Sequence, residues 1–290
     1  MILVTGGTGR VGSQVIKLLV AAGERPRAFV RDSAAARQRL GEQVEVVPGD
    51  LDRPETVDAA LTGVDRVFLM TPQNTRQPQW EQTVIQAAGR AGAGHIVKLS
   101  VVKAGERASL QIARQHRQAE QTLEQSGLAY TILRPLFFMQ NLLGMVRDGV
   151  IRTAAGDGRV GMVDVRDVAA VAVAALTDHG HEGRIYTLSG PEPLSFDDVA
   201  RVLSEATGSQ MRHVRVSPTA VRTALERAGV AAWFADDMSR LQQLFPAGYE
   251  DFTTDDVRSV TGSSPRTLAE FAGDFAGDFA GALTGGPQGR

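Results

Sequence analysis

The first twelve residues constrain this chain more than any other stretch. Ile2-Leu3-Val4-Thr5 is a short apolar run, and Gly6-Gly7-Thr8-Gly9-Arg10-Val11-Gly12 follows directly. Val11, Val15, Leu18 and Leu19 then recur at helical spacing. A buried strand that passes through glycines into a helix start builds a cradle for a dinucleotide pyrophosphate. The first-turn N–H groups have no intrahelical partner, and the helix dipole favours an anion. Gly6 is expected to allow the tight turn, Gly9 the approach of backbone to phosphate, and Gly12 the close packing of helix on strand. Thr8, Arg10 and Val11 complete the candidate loop. The spacing is G-x-x-G-x-x-G, not the G-x-G-x-x-G of many dinucleotide-binding turns. A glycine turn can also be merely structural, but here the required strand–turn–helix context surrounds it.

Apolar runs alternate with helical patterns through the first half. Strands are expected near 2–5, 26–30, 44–47, 66–70, 95–99 and 130–133, and helices near 10–21, 34–40, 55–61, 77–91 and 110–125. This rhythm predicts an α/β fold, a Rossmann-like doubly wound parallel sheet, with ligands at the carboxyl ends of its strands. After Arg134-Pro135 the pattern changes. A short helix is expected at 137–146, a helix at 165–176, one more strand of the main sheet at 185–188, and a helix capped by Ser195. The expected division is a nucleotide-binding domain of 1–134 that also receives 150–190, and a smaller, mostly helical C-terminal substrate lobe of 135–149 and 191–290. Phe271, Phe275 and Phe279 recur every four residues and read as a core-facing terminal helix or as a partner-binding stripe. Residues 285–290 are expected to fray.

Composition narrows the function classes. With 290 residues, 43% hydrophobic and 22% charged, the chain can bury a large core. A net charge of -2 leaves no overall basic footprint for nucleic acid. The absence of cysteine excludes disulfides, thiol nucleophiles and thiolate metal sites. No apolar run is long enough to span a bilayer. No secretory leader precedes the first strand, and Met1 abuts it, so a complete amino terminus and a cytoplasmic location are expected. No metal site is expected: the histidines of His179-Gly180-His181 lack a third ligand.

The second strand selects the cofactor. In NAD sites a carboxylate near its end binds the ribose hydroxyls. Here it ends Phe29-Val30-Arg31-Asp32, and Val30 takes the carboxylate place. Arg31, with Arg10 in the glycine turn, favours the 2′-phosphate of NADP(H). Asp32 becomes the ribose ligand if the strand ends one residue later. Asp50 and Leu51 end the third strand and are candidates for the adenine. Met70, Thr71 and Pro72 end the fourth, beside the expected nicotinamide ribose. Ser100 ends the fifth, and Pro135 closes the sixth.

Together these segments resemble the NmrA-like group of atypical short-chain dehydrogenase/reductases, which includes the type 2 NAD(P)H:quinone oxidoreductases. The matching residues include Thr5 to Gly12, Val30-Arg31-Asp32, Gly49-Asp50-Leu51, His116-x-x-x-Glu120, Tyr130-Thr131-Ile132-Leu133-Arg134-Pro135 and Phe138-Met139-Gln140-Asn141. The resemblance implies a Rossmann-like domain, an NADP(H) site and a pocket under a C-terminal lobe. It covers about residues 1 to 210 well and the tail weakly. The chain departs from the Tyr-x-x-x-Lys pair of classical members. Tyr130, Tyr186 and Tyr249 are followed four residues later by Arg134, Gly190 and Thr253. His116 falls where the lysine would be.

Quinone reduction remains open without that pair. Hydride passes to an electron-poor ring, and the product takes its proton from water. Phe137, Phe138 and Asn141 are expected to line the substrate slot, with Asn141 holding a substrate oxygen. His116 is expected either to donate a proton or hold the nicotinamide ribose near neutral pH, or to be an exposed helix residue paired with Glu120. The leading expectation is an NADPH-dependent oxidoreductase for a small aromatic or quinone-like substrate, with a homodimer as a candidate assembly. A non-catalytic NADP(H) sensor and a secondary-metabolism tailoring reductase or epimerase are the alternatives.

Overall fold

A computed structural model describes residues 1–281, so residues 285–290, expected to fray, lie outside the described residues. In chain order the structure begins with β1 (Ile2–Thr5), α1 (Arg10–Ala21), β2 (Arg27–Val30), α2 (Ser33–Leu40), β3 (Glu45–Pro48) and α3 (Pro54–Leu61). It continues with β4 (Arg66–Leu69), α4 (Gln77–Ala91), β5 (His95–Leu99), α5 (Gln111–Glu124) and β6 (Ala129–Pro135). Next come α6 (Leu142–Met145), β7 (Val146–Arg147), β8 (Val150–Thr153), β9 (Arg159–Val160), α7 (Val165–Thr177), β10 (Arg184–Leu188) and β11 (Leu194–Ser195). The last elements are α8 (Phe196–Thr207), β12 (Arg212–Arg215), α9 (Pro218–Arg227), α10 (Ala232–Leu244), α11 (Asp256–Thr261), α12 (Leu268–Asp274) and α13 (Ala276–Gly281).

The chain divides into two compact units, Met1–Pro135 with Val165–Thr187, and Leu136–Asp164 with Leu188–Arg290. The seven-stranded sheet has the order β10-β6-β5-β4-β1-β2-β3. The pairs from β3 to β6 run parallel. Strand order therefore reverses between β1 and β4, where doubly wound sheets bind ligands. β1, β4 and β5 are apolar along most of their length because helices cover the sheet. α1 packs on α7, and α3, α4 and α5 pack in a row. α1 buries Val11, Gly12, Val15, Ile16 and Leu19, the stripe its periodicity announces.

Two local features seat α1 at the reversal. Gly6 adopts φ +64°, and a Cβ on Gly12 would stand 2.3 Å from the Gly6 carbonyl oxygen. The Thr5 hydroxyl donates to the Met70 carbonyl at 2.7 Å and accepts the Met70 N–H at 2.8 Å. It clips the ends of β1 and β4 together.

The second unit has its own core, with Phe196, Phe245, Phe271 and Phe279 fully buried. Ser195 caps α8 in a reciprocal capping box with Asp198. Residues 150–164, expected in the first unit, belong here, because β8 pairs with β12 and β7, and β9 with β11. The single helix expected at 137–146 is instead a 3-10 turn (Met139–Asn141), a single helical turn and the start of a strand. The phenylalanine repeat is core: Phe271 and Phe279 are buried, and Phe275 lies 4.7 Å from the Phe271 ring. This corrects the partner-stripe alternative, since burying two aromatic rings with the half-buried third against them stabilises the unit's own packing.

Replacing Gly12 by Ala is expected to lower stability in urea unfolding by about 1–3 kcal/mol, because its new methyl meets backbone that cannot yield. Gly89 lies inside α4 with open space around a Cβ. Gly89→Ala is expected to raise stability by about 0.5–1 kcal/mol.

Candidate functional site

Gly9 is the N-cap of α1 and has no capping side chain. No acidic residue stands in the first turn, and the exposed Arg10 adds positive charge there. The arrangement suits a diphosphate: helix dipole and cation favour it, and no carboxylate repels it. Thr8 lies in the same turn, and Val11 is buried behind it. The Met70 methyl closes over the loop, 2.6 Å from where a Gly6 Cβ would be and 3.0 Å from that of Gly9.

β2 ends at Val30, so Arg31 is the first residue past the strand, and it is exposed. Asp32 is committed elsewhere. Its Oδ1 accepts the N–H groups of Ala34 and Ala35, both at 3.0 Å, and so caps α2. Asp50 Oδ1 accepts the Asp52 N–H at 3.0 Å, and Leu51 packs against the first unit's core.

Two buried carboxylates lie under the ends of β4 and β5. Thr71 Oγ1 donates to Glu81 Oε1 at 3.0 Å, and Ser100 Oγ donates to Glu120 Oε1 at 2.7 Å. A hydroxyl has one hydrogen, so both present only lone pairs to any further partner. Pro72 is exposed beside Thr71, and the Pro135 carbonyl accepts the Val102 N–H at 3.1 Å. Glu120 also accepts from Arg134 Nε at 2.9 Å and Nη2 at 2.6 Å, and from Arg117 at 3.2 Å. Burial pushes the Glu120 carboxyl up, but Arg134, Ser100 and Arg117 outweigh it and hold the carboxyl below its ordinary value.

His116 is neither the exposed partner of Glu120 nor a proton donor near neutral pH. It is buried, and Glu120 belongs to Ser100 and the two arginines. His116 Nδ1 lies 3.2 Å from Lys98 Nζ, and Gln77 Nε2 lies 3.2 Å from Nε2. Burial, and then the Lys98 charge, push the imidazole well below its ordinary value. At neutral pH it is uncharged and is no acid. Lys98 itself is fully buried and pairs with Glu81 Oε2 at 2.6 Å. Sequence reasoning missed this pair. Its traces were a lysine inside the apolar run of β5, and Gln77 and Glu81 on the face of α4 that carries Val84, Ile85 and Ala88.

The substrate candidates lie in the second unit. The Phe137 ring stands edge-on to Phe196 and Phe245 at 6.2 and 6.3 Å, and its N–H donates to Glu250 at 2.9 Å, so it serves that unit's packing. Phe138 bridges to Val163. Asn141 is partly exposed, and its N–H donates to the Phe138 carbonyl at 3.0 Å. Among the described residues no group of acids and histidines could hold a metal, and no helix is long and apolar enough to cross a membrane.

Known proteins fall in line with this geometry. The NAD(P)H-binding family model matches residues 6–179, and the chain belongs to that family. It is 41% identical to the NAD(P)H azoreductase of Xenophilus azovorans over 94% of this chain and 96% of the relative. The NADPH-dependent quinone oxidoreductase QOR2 of Escherichia coli, solved with NADPH, is 28% identical with a TM-score of 0.85. That match covers 95% of this chain and 99% of QOR2. NmrA, a negative transcriptional regulator solved with NAD, shares the fold at 19% identity and a TM-score of 0.78, over 94% of each chain.

Glu120→Gln is expected to cost about 1–3 kcal/mol of unfolding free energy at neutral pH. The carboxyl is depressed in the folded state, so its contribution is present above the unfolded value and lost as pH falls through the folded one. The gap between wild type and variant should close below about pH 4 in pH-dependent urea unfolding.

Proposed function

We propose that this protein is an NADPH-dependent reductase that passes hydride to a quinone or a similarly electron-poor aromatic acceptor. The observation that carries the reading is the inventory at the ends of β4 to β6. Two hydroxyls are committed to carboxylates, one imidazole is neutral, and no tyrosine takes part. Such a site suits an acceptor that needs no acid from the protein. Likeness over nearly the whole chain to an azoreductase and a quinone reductase supports the same class.

In this reading Gly6, Thr8, Gly9, Val11 and Gly12 hold the diphosphate. Arg10 and Arg31 take the 2′-phosphate, because Asp32 caps α2 and Val30 offers no carboxylate to a ribose hydroxyl. Asp50 and Leu51 flank the adenine. Met70, Thr71, Pro72, Ser100 and Pro135 flank the nicotinamide ribose, where Thr71 and Ser100 accept hydrogen bonds. When bound, the reduced nicotinamide supplies hydride. The quinone ring gains that hydride's two electrons and its hydrogen, and the phenolate product takes a proton from water. Phe138 and Asn141 contact the acceptor, with the Asn141 amide donating to one of its oxygens, and the neutral His116 serves as a hydrogen-bond donor.

NADPH oxidation against a panel of quinones and azo dyes tests the class. Turnover is expected. Calorimetric binding of NADPH with no turnover on any acceptor would replace the reductase by a nucleotide sensor. Arg31→Ala is expected to weaken NADPH by about 10- to 100-fold and to leave NADH nearly unchanged. Equal losses for both cofactors would remove Arg31 from the phosphate site.

A further inference from the structure

The buried charge pair behind His116 has a purpose that the fold does not require. Lys98 brings an ammonium into the interior at the end of β5, which is costly unless every N–H finds an acceptor. It donates to the Leu99 carbonyl at 3.1 Å, lies 3.2 Å from His116 Nδ1 and forms an ion pair with Glu81 Oε2 at 2.6 Å. An ammonium only donates, so Nδ1 must accept. The ring proton of the neutral imidazole then sits on Nε2.

The other neighbour sharpens the argument. Gln77 Nε2 donates to Glu81 Oε1 at 3.1 Å and lies 3.3 Å from His116 Nδ1 and 3.2 Å from Nε2. Turning that amide round would set its oxygen against the Glu81 carboxylate. Its nitrogen therefore faces the ring, and it cannot accept the Nε2 proton. Among the described residues no acceptor for the Nε2–H is found. The network also has a location. Thr71, at the end of β4, shares Glu81 with Lys98, and the Leu99 carbonyl precedes Ser100. Both strand ends lie on the carboxyl side of the sheet; β4 adjoins the reversal of strand order, and β5 is the next strand.

We propose that Lys98, anchored by Glu81, is a positioning residue that fixes His116 as the Nε2–H tautomer and aims that N–H at an oxygen of the bound dinucleotide or acceptor. This rests on the reductase reading above and specifies what His116 does in it. His116 acts as a donor whose strength does not vary with pH, and it moves no proton. Burial and the Lys98 charge favour that state. Lys98 faces it from β5, and Glu81 from α4 balances Lys98. Arg117 and Glu120 on α5 are engaged with each other and with Arg134 from β6.

Long-range proton–nitrogen NMR of full-length protein carrying 15N-histidine tests this, with His116→Gln used to assign the signal among the five histidines. The expected spectrum shows an unprotonated Nδ1 and a protonated Nε2, unchanged from about pH 5 to about pH 8. An Nδ1–H tautomer, or titration within that window, overturns the proposal. Adding NADPH alone, and then oxidised cofactor with a quinone, identifies the source of the oxygen. A shift of the Nε2–H signal with the first assigns the dinucleotide, and a shift only with the second assigns the acceptor. No shift with either overturns the donor role. The double variant Lys98→Met/Glu81→Gln removes the pair without stranding a charge. It should populate both tautomers and restore titration toward the ordinary histidine range. If that variant fails to fold, the wild-type spectrum still decides. Failure of NADPH turnover with the tautomer intact would sink the reductase reading and leave this assignment standing.

Discussion

The close approach of α1 to the reversal between β1 and β4 is the constraint on which the first unit depends. The helix sits there because Gly12 offers no Cβ to the Gly6 carbonyl, and Gly6 turns the chain through a left-handed conformation. The Thr5 hydroxyl holds the two strand ends in register. With the helix so placed, its first-turn N–H groups open at the end of β1. This glycine-turn end of the unit is thus a consequence of backbone geometry. Little of it rests on side chains, which is why so few residues specify it.

Buried charge organises the other end. Glu81 and Glu120 each lie under a strand end, and each takes a hydroxyl from above and a cation from the side. Unpaired, either carboxylate would carry a large desolvation penalty. Paired, they hold Thr71 and Ser100 in fixed rotamers with lone pairs outward. Lys98 carries the same logic to His116. No tyrosine of the chain is followed by a lysine four residues on, and the groups under β4 and β5 are already paired within the protein.

The second unit is built by aromatic packing. Phe137 and Phe245 enclose Phe196, and Phe271 and Phe279 bring the terminal helices onto α8. Its small sheets join segments far apart in the chain, since β8 pairs with β12 some sixty residues on. Phe138 and Asn141 lie on the short turn that follows β6.

Local pattern announced the parallel sheet, the helices between its strands and the glycine cradle, because each is written in neighbouring residues: apolar runs, helical spacing, and glycines where no side chain fits. Arg31 was legible for the same reason, as the first residue past a strand whose end the pattern marks. Long-range contact decided the rest. Asp32 reads as a candidate ribose ligand until α2 begins directly after it and takes it as its cap. His116 reads as exposed beside Glu120 until α4 and β5 enclose it with Gln77 and Lys98, and β6 brings Arg134 to Glu120. Charge state and tautomer depend on distances between elements that no single segment contains. The sequence by itself determined the fold and the glycine turn that leads into α1, and the tertiary structure alone determined which polar groups can still donate or accept.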